Sequence, residues 1–271
     1  MPDMHTLRLT AENYYSTAAN VTYMSVSQYK DFTGTYGMRG CEAQALAVMR
    51  GDWQRETTIP MLVGSYVDAY FEGTLDEFKR LHPELFKRDG SLKSEFSKAE
   101  QMILRAERDT LFRRYMSGEK QVIMSGEIGG VDWKIKIDSY HPGAAIVDLK
   151  CMASLTEQKW VKDLGYLDFV RYWGYDTQGA VYQEIVRQNT GERLPFYIAG
   201  ISKEKEPNIE IIHVTDDFLR EALAEVERTL PIVLEAKEGR REPRRCECCD
   251  YCRHTKVLSA PIRIGDLAAG I

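Results

Sequence analysis

Lys134-Ile-Lys-Ile-Asp-Ser-Tyr-His-Pro-Gly-Ala-Ala-Ile-Val-Asp-Leu-Lys150 reads as strand, turn, strand. The first strand ends near Asp138, His141-Pro142-Gly143 makes the turn, and the apolar run Ala144–Val147 leads into Asp148 and Lys150. Side chains alternate across a strand, so Asp148 and Lys150 point to the same side. Reversal at the turn can bring Asp138 alongside them. Two carboxylates and an ammonium at a hairpin end are costly to hold without compensation. A hard divalent cation, Mg2+ or Mn2+, supplies it.

An acidic residue, any residue, then Lys is a weak pattern by itself. The chain holds four more such triplets, at Glu77–Lys79, Asp132–Lys134, Glu157–Lys159 and Glu235–Lys237. Only Asp148–Lys150 follows an apolar run ending in β-branched residues and has an Asp closing the preceding strand. The alternative is a surface hairpin carrying an exposed ion pair, which is nearly neutral in energy.

Asp138, then Asp148-x-Lys150, then Gln178-Gly-Ala-Val-Tyr182, resembles the PD-(D/E)XK nuclease superfamily, and within it the RecB-like and RecE-like DNA exonucleases of phage type. That branch carries Gln-x-x-x-Tyr on a helix behind the active-site strands. Residues four apart share one helix face, so Gln178 and Tyr182 can both address the site. Gly64-Ser-Tyr-Val-Asp68 resembles the branch's Gly-x-x-x-His motif, with Asp68 in the His place. The likeness runs from about Tyr23 to about Leu258. It implies a restriction-endonuclease-like α/β core with a mixed central sheet flanked by helices. It also implies that Asp138, Asp148, Asp68 and the Leu149 carbonyl hold Mg2+ or Mn2+. Lys150 would orient the attacking water, and Gln178 and Tyr182 would hold the DNA backbone or position Lys150. The implied activity is exonucleolytic hydrolysis from duplex DNA ends in phage-type recombination, alongside a single-strand annealing protein and in a ring-shaped homo-oligomer. An endonuclease or nickase of the same superfamily is an alternative. So is a DNA-binding module with a vestigial centre and a structural metal site.

The 271 residues suit one large domain, with a polar lead-in over residues 1–22 and a Cys-rich segment over 240–258. The composition, 44% apolar and 28% charged, is that of a globular protein. No apolar run reaches the ~20 residues of a membrane span. Met1-Pro-Asp-Met-His5 has no basic region before an apolar core, so the expected location is the cytoplasm. A net charge of −5 opposes coating of DNA by the whole surface but leaves local basic patches free to act. Lys87–Arg88, Arg113–Arg114 and Arg240–Arg245 are candidates, the first two better read as solvated faces.

Helices are expected over Gln28–Phe32, Cys41–Met49, Ser65–Phe71, Ser97–Met116, Leu155–Asp163 and Asp176–Gln188, with a last long one after Thr215 that Pro231 should kink. Strands are expected over Val122–Ile128, Val131–Ser139, Ala145–Lys150, Leu194–Ile201 and Ile209–Val214. Trp133, Trp160, Trp173 and Tyr175 read as core. Glu127 reads equally as a metal-assisting acid or an exposed strand end. His82, His141 and His213 have no ligand-spaced partner.

Four of six cysteines fall within Cys246-Glu-Cys-Cys-Asp-Tyr-Cys252. In a cytoplasmic chain such crowding signals metal more than disulfide. Cys246, Cys249 and Cys252 give three thiolates, and Cys248, beside Cys249, cannot easily join them. Ser25-Val-Ser27…Phe32…Cys41 resembles the N-terminal motif of iron–sulfur RecB-type nucleases, in which one N-terminal and three C-terminal cysteines hold a [4Fe–4S] cluster. The likeness makes Cys41 the fourth ligand. The spacing between the last two cysteines is shorter here than in those nucleases. A [4Fe–4S] cluster, a four-cysteine Zn2+ site and no metal all stay open. Cys151 reads as a small apolar residue.

Overall fold

A computed structural model describes residues 7–267. Tyr23 closes helix α1 (Thr17–Thr22), which the Ser16 hydroxyl caps. Ser25 caps α2 (Val26–Thr33) by accepting from the Gln28 amide. A short ribbon, β1 (Gly34–Thr35) and β2 (Met38–Arg39), leads to α3 (Glu42–Arg50), with Cys41 at its N-cap and Gly51 at its C-cap. Helices α4 (Ile59–Glu72), α5 (Leu75–Leu81), α6 (Ser94–Glu107) and α7 (Thr110–Tyr115) follow. Three long strands come next, β3 (Glu119–Ile128), β4 (Val131–His141) and β5 (Ala145–Met152). A small hairpin, β6 (Lys159–Val161) and β7 (Gly165–Leu167), precedes α8 (Phe169–Tyr172) and α9 (Tyr175–Thr190). The chain then forms β8 (Phe196–Ser202), β9 (Ile209–Val214), α10 (Asp216–Lys237) and α11 (Asp250–His254).

The central sheet has the order β3-β4-β5-β8-β9. Only β5 and β8 run parallel, with Asp148 opposite Ile198. Parallel neighbours need a long crossover, and the segment carrying α8 and α9 provides it. Helices cover both faces. On one, α9 and α10 pack with α2 and α3 against Ile135, Ile146, Phe196 and Ile198. Leu219, Ala222, Val226, Leu230 and Val233 form the apolar stripe of α10. On the other, α4, α6 and α7 pack against Val147, Leu149, Ala199 and Ile201. The expected α/β core with a mixed central sheet is present.

Several expectations change. Of the polar lead-in over residues 1–22, residues 11–22 form turns and α1, and Tyr14 is buried; residues 1–6 lie outside the described residues. The long helix expected over Ser97–Met116 is two helices. It breaks after Glu107, and Asp109 starts the second by accepting from the Phe112 amide. The helix expected over Leu155–Asp163 is the β6–β7 hairpin, where Trp160 faces Tyr166. Trp160 is therefore 67% exposed and not core, because a two-stranded ribbon has no second layer to bury it. The long helix expected after Thr215 is α10, with Pro231 inside it. Among the described residues no helix is long and apolar enough to cross a membrane.

Helix α9 lies close to the sheet because Gly179 has no side chain. A Cβ there would stand 2.5 Å from Phe196 and 2.8 Å from Leu219. We predict that Gly179→Val destabilises the protein by about 2–3 kcal/mol. Urea denaturation should show a lower midpoint with an unchanged slope; an unaltered midpoint would refute the packing reading.

Candidate active site

The pairing of β4 with β5 covers only Ser139↔Val147, Tyr140↔Ile146 and His141↔Ala145. Beyond it the strands part, and a side chain takes over the ladder. The Leu149 amide donates to Asp138 Oδ2 at 2.9 Å. On the other side of Asp138, Gln121 Nε2 donates to Oδ1 at 3.3 Å. Gln121 has φ 53°, a left-handed backbone unusual for a residue with a side chain. Strand β5 then presents Asp148, 2% exposed, and Lys150 beside it. Asp148 Oδ1 accepts from Gln178 Nε2 at 2.5 Å. Its Oδ2 forms an ion pair with the Lys150 ammonium but accepts no directed hydrogen bond among the described residues.

Helix α9 therefore delivers Gln178 to Asp148, not to Lys150. Four residues on, the Tyr182 hydroxyl donates to the Lys136 carbonyl at 3.1 Å and ties α9 to β4. Gln178 and Tyr182 share one helix face, as expected, but each holds the site's framework. Asp68, on α4, joins Asp138, Asp148, Leu149, Lys150 and Gln178 along one cleft of about 560 Å³.

The charges strain against burial. Burial foremost, then the neighbouring Asp148 charge, raises Asp138 to about 7. Burial, with the charge of Asp138, likewise pushes Asp68 well above the ordinary carboxylate range. Burial opposes charge on Lys150, but Asp148 and Asp138 outweigh it and raise its pKa. Such a site is short of positive charge. Buried carboxylate oxygens with raised proton affinity, on Asp138 and Asp68, fit a hard divalent cation. Asp138 and Asp148, with Asp68 along the same cleft, are the carboxylates that could hold it. The Leu149 carbonyl is at the same place and accepts from Lys150 Nζ at 3.3 Å.

Several site residues carry no motif. Lys30, on α2, lines the cleft. Burial, then repulsion from Lys150, lowers its pKa to about 8. Tyr175 lies beneath the ammonium groups of both Lys150, at 5.0 Å, and Lys30, at 5.1 Å; it packs against the core, as expected, and also lines the cleft. Lys136 reaches the cleft over the Tyr15 ring at 4.9 Å. Alternation along β4 from Asp138 marks Lys136 in the sequence as facing the same groove, and the structure places it there; Lys30 and Gln121 had no sequence signal. Glu127 is at the far end of β3, its amide bonded to Gln188, so it takes no part in the cleft. His141, the last residue of β4, donates from Nε2 to the Tyr115 carbonyl, 2.9 Å away, and takes no part in the cleft.

The Cys41, Cys246, Cys249 and Cys252 sulfurs lie within 4.8 Å of one another. Cys248 falls outside that group, as expected. The adjoining Arg240–Arg245 stretch is not a free basic patch. Arg241 and Arg244 both grip Glu42, which is 3% exposed. Burial would raise the Glu42 pKa, but the two guanidiniums and the Arg244 amide bring it down to about 2.

Residues 25–255 match the family described as "PDDEXK-like domain of unknown function (DUF3799)". A crystal structure of a "putative exonuclease" from Eubacterium rectale is 63% identical, covers 98% of this chain and 100% of its own, and superposes with a TM-score of 0.95. A second structure, SSO0001, is 14% identical over 82% of this chain and 96% of its own, with a TM-score of 0.29, too low to carry any argument. No curated protein matches.

If Gln178 holds Asp148 ready for a cation, Gln178→Leu should weaken Mn2+ binding by about 10- to 100-fold while leaving the fold intact. Calorimetric titration checks it, with Asp148→Ala as the non-binding control. Unchanged affinity would remove Gln178 from the site.

Proposed function

Because the chain belongs to the PDDEXK-like DUF3799 family, we propose that it is a Mg2+-dependent nuclease that removes nucleotides from the ends of duplex DNA. One observation carries the reading: Asp138, Asp148 and Lys150 converge where β4 and β5 part, with Gln178 clamped on Asp148. The description of the Eubacterium rectale relative favours exonuclease over endonuclease.

A bound divalent cation supplies a water of lowered pKa and neutralises charge on the phosphate. The protein's part is positioning and electrostatics. Asp138 and Asp148 offer carboxylate oxygens at fixed places, because the Leu149 amide and the Gln178 amide group hold one oxygen of each. Lys150, ion-paired with Asp148, would orient the attacking water and stabilise the negative charge that gathers on the scissile phosphate. No covalent intermediate on the protein is needed. Lys30 and Lys136, lining the same cleft, contact the flanking phosphates, which offsets the net charge of −5. Lys134 serves the framework: its ammonium is 2.7 Å from Asn20 Oδ1 and also bonds the Tyr14 carbonyl. End degradation exposes single strands, so a strand-annealing protein is the fitting partner.

Two measurements test this. Lys150→Ala should bind Mn2+ normally yet cleave at least about 10³-fold more slowly; full activity would sink the assignment. Linear duplex should be degraded with release of nucleotides far faster than covalently closed circles are cut. Equal rates would replace the exonuclease with an endonuclease.

A further inference from the structure

None of the four clustered cysteines lines the nuclease cleft. Cys41 stands at the N-cap of α3, Cys249 at the N-cap of α11, and Cys252 within α11. The Cys41 and Cys252 sulfurs are 3.5 Å apart although 211 positions separate them in sequence. The Cys246 sulfur is 3.9 Å from that of Cys252. No pair among the four exceeds 4.8 Å.

This spacing discriminates between metal centres. Four thiolates around one ion, each about 2.3 Å from it, sit ~3.8 Å apart at the corners of a tetrahedron. In a [4Fe–4S] cubane each thiolate binds a different iron, which holds the sulfurs roughly 6 Å apart. A sulfur set that closes to within 4.8 Å leaves no room for an eight-atom core. The cysteines thus do not fit the iron–sulfur cluster that the sequence resemblance implies. We infer that Cys41, Cys246, Cys249 and Cys252 bind a single tetrahedral Zn2+ ion.

The surroundings support a tetrathiolate centre. Such a site carries a net charge of −2, which needs nearby donors and cations. The Cys249 amide donates to the Cys246 sulfur at 3.3 Å, and the Cys252 amide to the Cys249 sulfur at 3.4 Å. The Arg245 guanidinium is held close by its bond to the Cys252 carbonyl at 2.8 Å. Cys248 is 3.7 Å from the Cys246 sulfur but faces Arg39, 3.5 Å away, and stays outside the mutual group.

The ion would pin the C-terminal segment to the start of α3. Ala45, Val48 and Met49 of the same helix line the nuclease cleft. The centre is thereby a clamp on one cleft wall, and it closes a very long loop, which restricts the unfolded chain.

The test is the metal content of the full-length protein purified under anaerobic conditions, so that air cannot destroy a cluster. About one zinc per chain is expected, with iron and acid-labile sulfide far below stoichiometric and no brown colour. Replacement by Co2+ should give the intense visible ligand-field bands of a tetrahedral thiolate site. Cys248→Ser should keep the full zinc content and Cys41→Ser should lose most of it. Four irons with labile sulfide would overturn the inference, as would a single iron in place of zinc or the absence of stoichiometric metal. If Cys41→Ser proves insoluble, the metal count and cobalt spectrum of the unaltered protein still decide.

Discussion

Charge buried on a central strand is the constraint around which the protein is arranged. Asp148 is 2% exposed on β5, a strand with helices on both faces. An isolated carboxylate there would be prohibitively costly. It persists because Lys150 lies beside it and Gln178 donates to it. Gln178 arrives only because β5 and β8 are parallel, which forces the chain through a crossover that lays α9 over the sheet. Gly179 then lets the helix come close enough for the contact. The fold and the site are in this sense one arrangement.

The end of the β4–β5 ladder has the same logic. Where the backbone pairing stops, Asp138 replaces a carbonyl as the acceptor for the Leu149 amide. The acid is thus fixed by a backbone bond and cannot turn away. Gln121, in its left-handed conformation, reaches the other oxygen. Buried carboxylates held this rigidly repel one another, and the resulting rise in proton affinity reflects a site preorganised for positive charge.

A second set of contacts joins the two ends of the described chain. Glu42 accepts from Arg241 and Arg244, and its neighbour Cys41 meets Cys252. The Ala43 amide donates to the Arg244 carbonyl at 3.1 Å. Trp53 packs edge-on to Tyr251, with ring centroids 5.6 Å apart. The C-terminal segment is therefore part of the structure's framework, and the wall of the cleft formed by α3 depends on it.

Much of the site was legible in the sequence because its chemistry is local. Asp148 and Lys150 are two residues apart on one strand, Gln178 and Tyr182 one helical turn apart, and three of the cysteines lie within seven positions. Periodicity likewise marked all five strands of the central sheet, whose apolar faces are continuous. It failed where tertiary context overrules propensity. Lys159–Leu167 pairs as a ribbon because Trp160 and Tyr166 face each other across the two strands, and the Asp109 cap divides what one amphipathic stripe joined. The sequence by itself determined which groups carry charge and which strand bears them. Only the tertiary structure decided that Gln178 serves Asp148, that Lys30 and Tyr175 enter the cleft, that Arg241 and Arg244 serve Glu42 instead of standing as a free basic patch, and how closely four sulfurs approach. Those relations depend on distances between segments far apart in the chain, which no local pattern encodes.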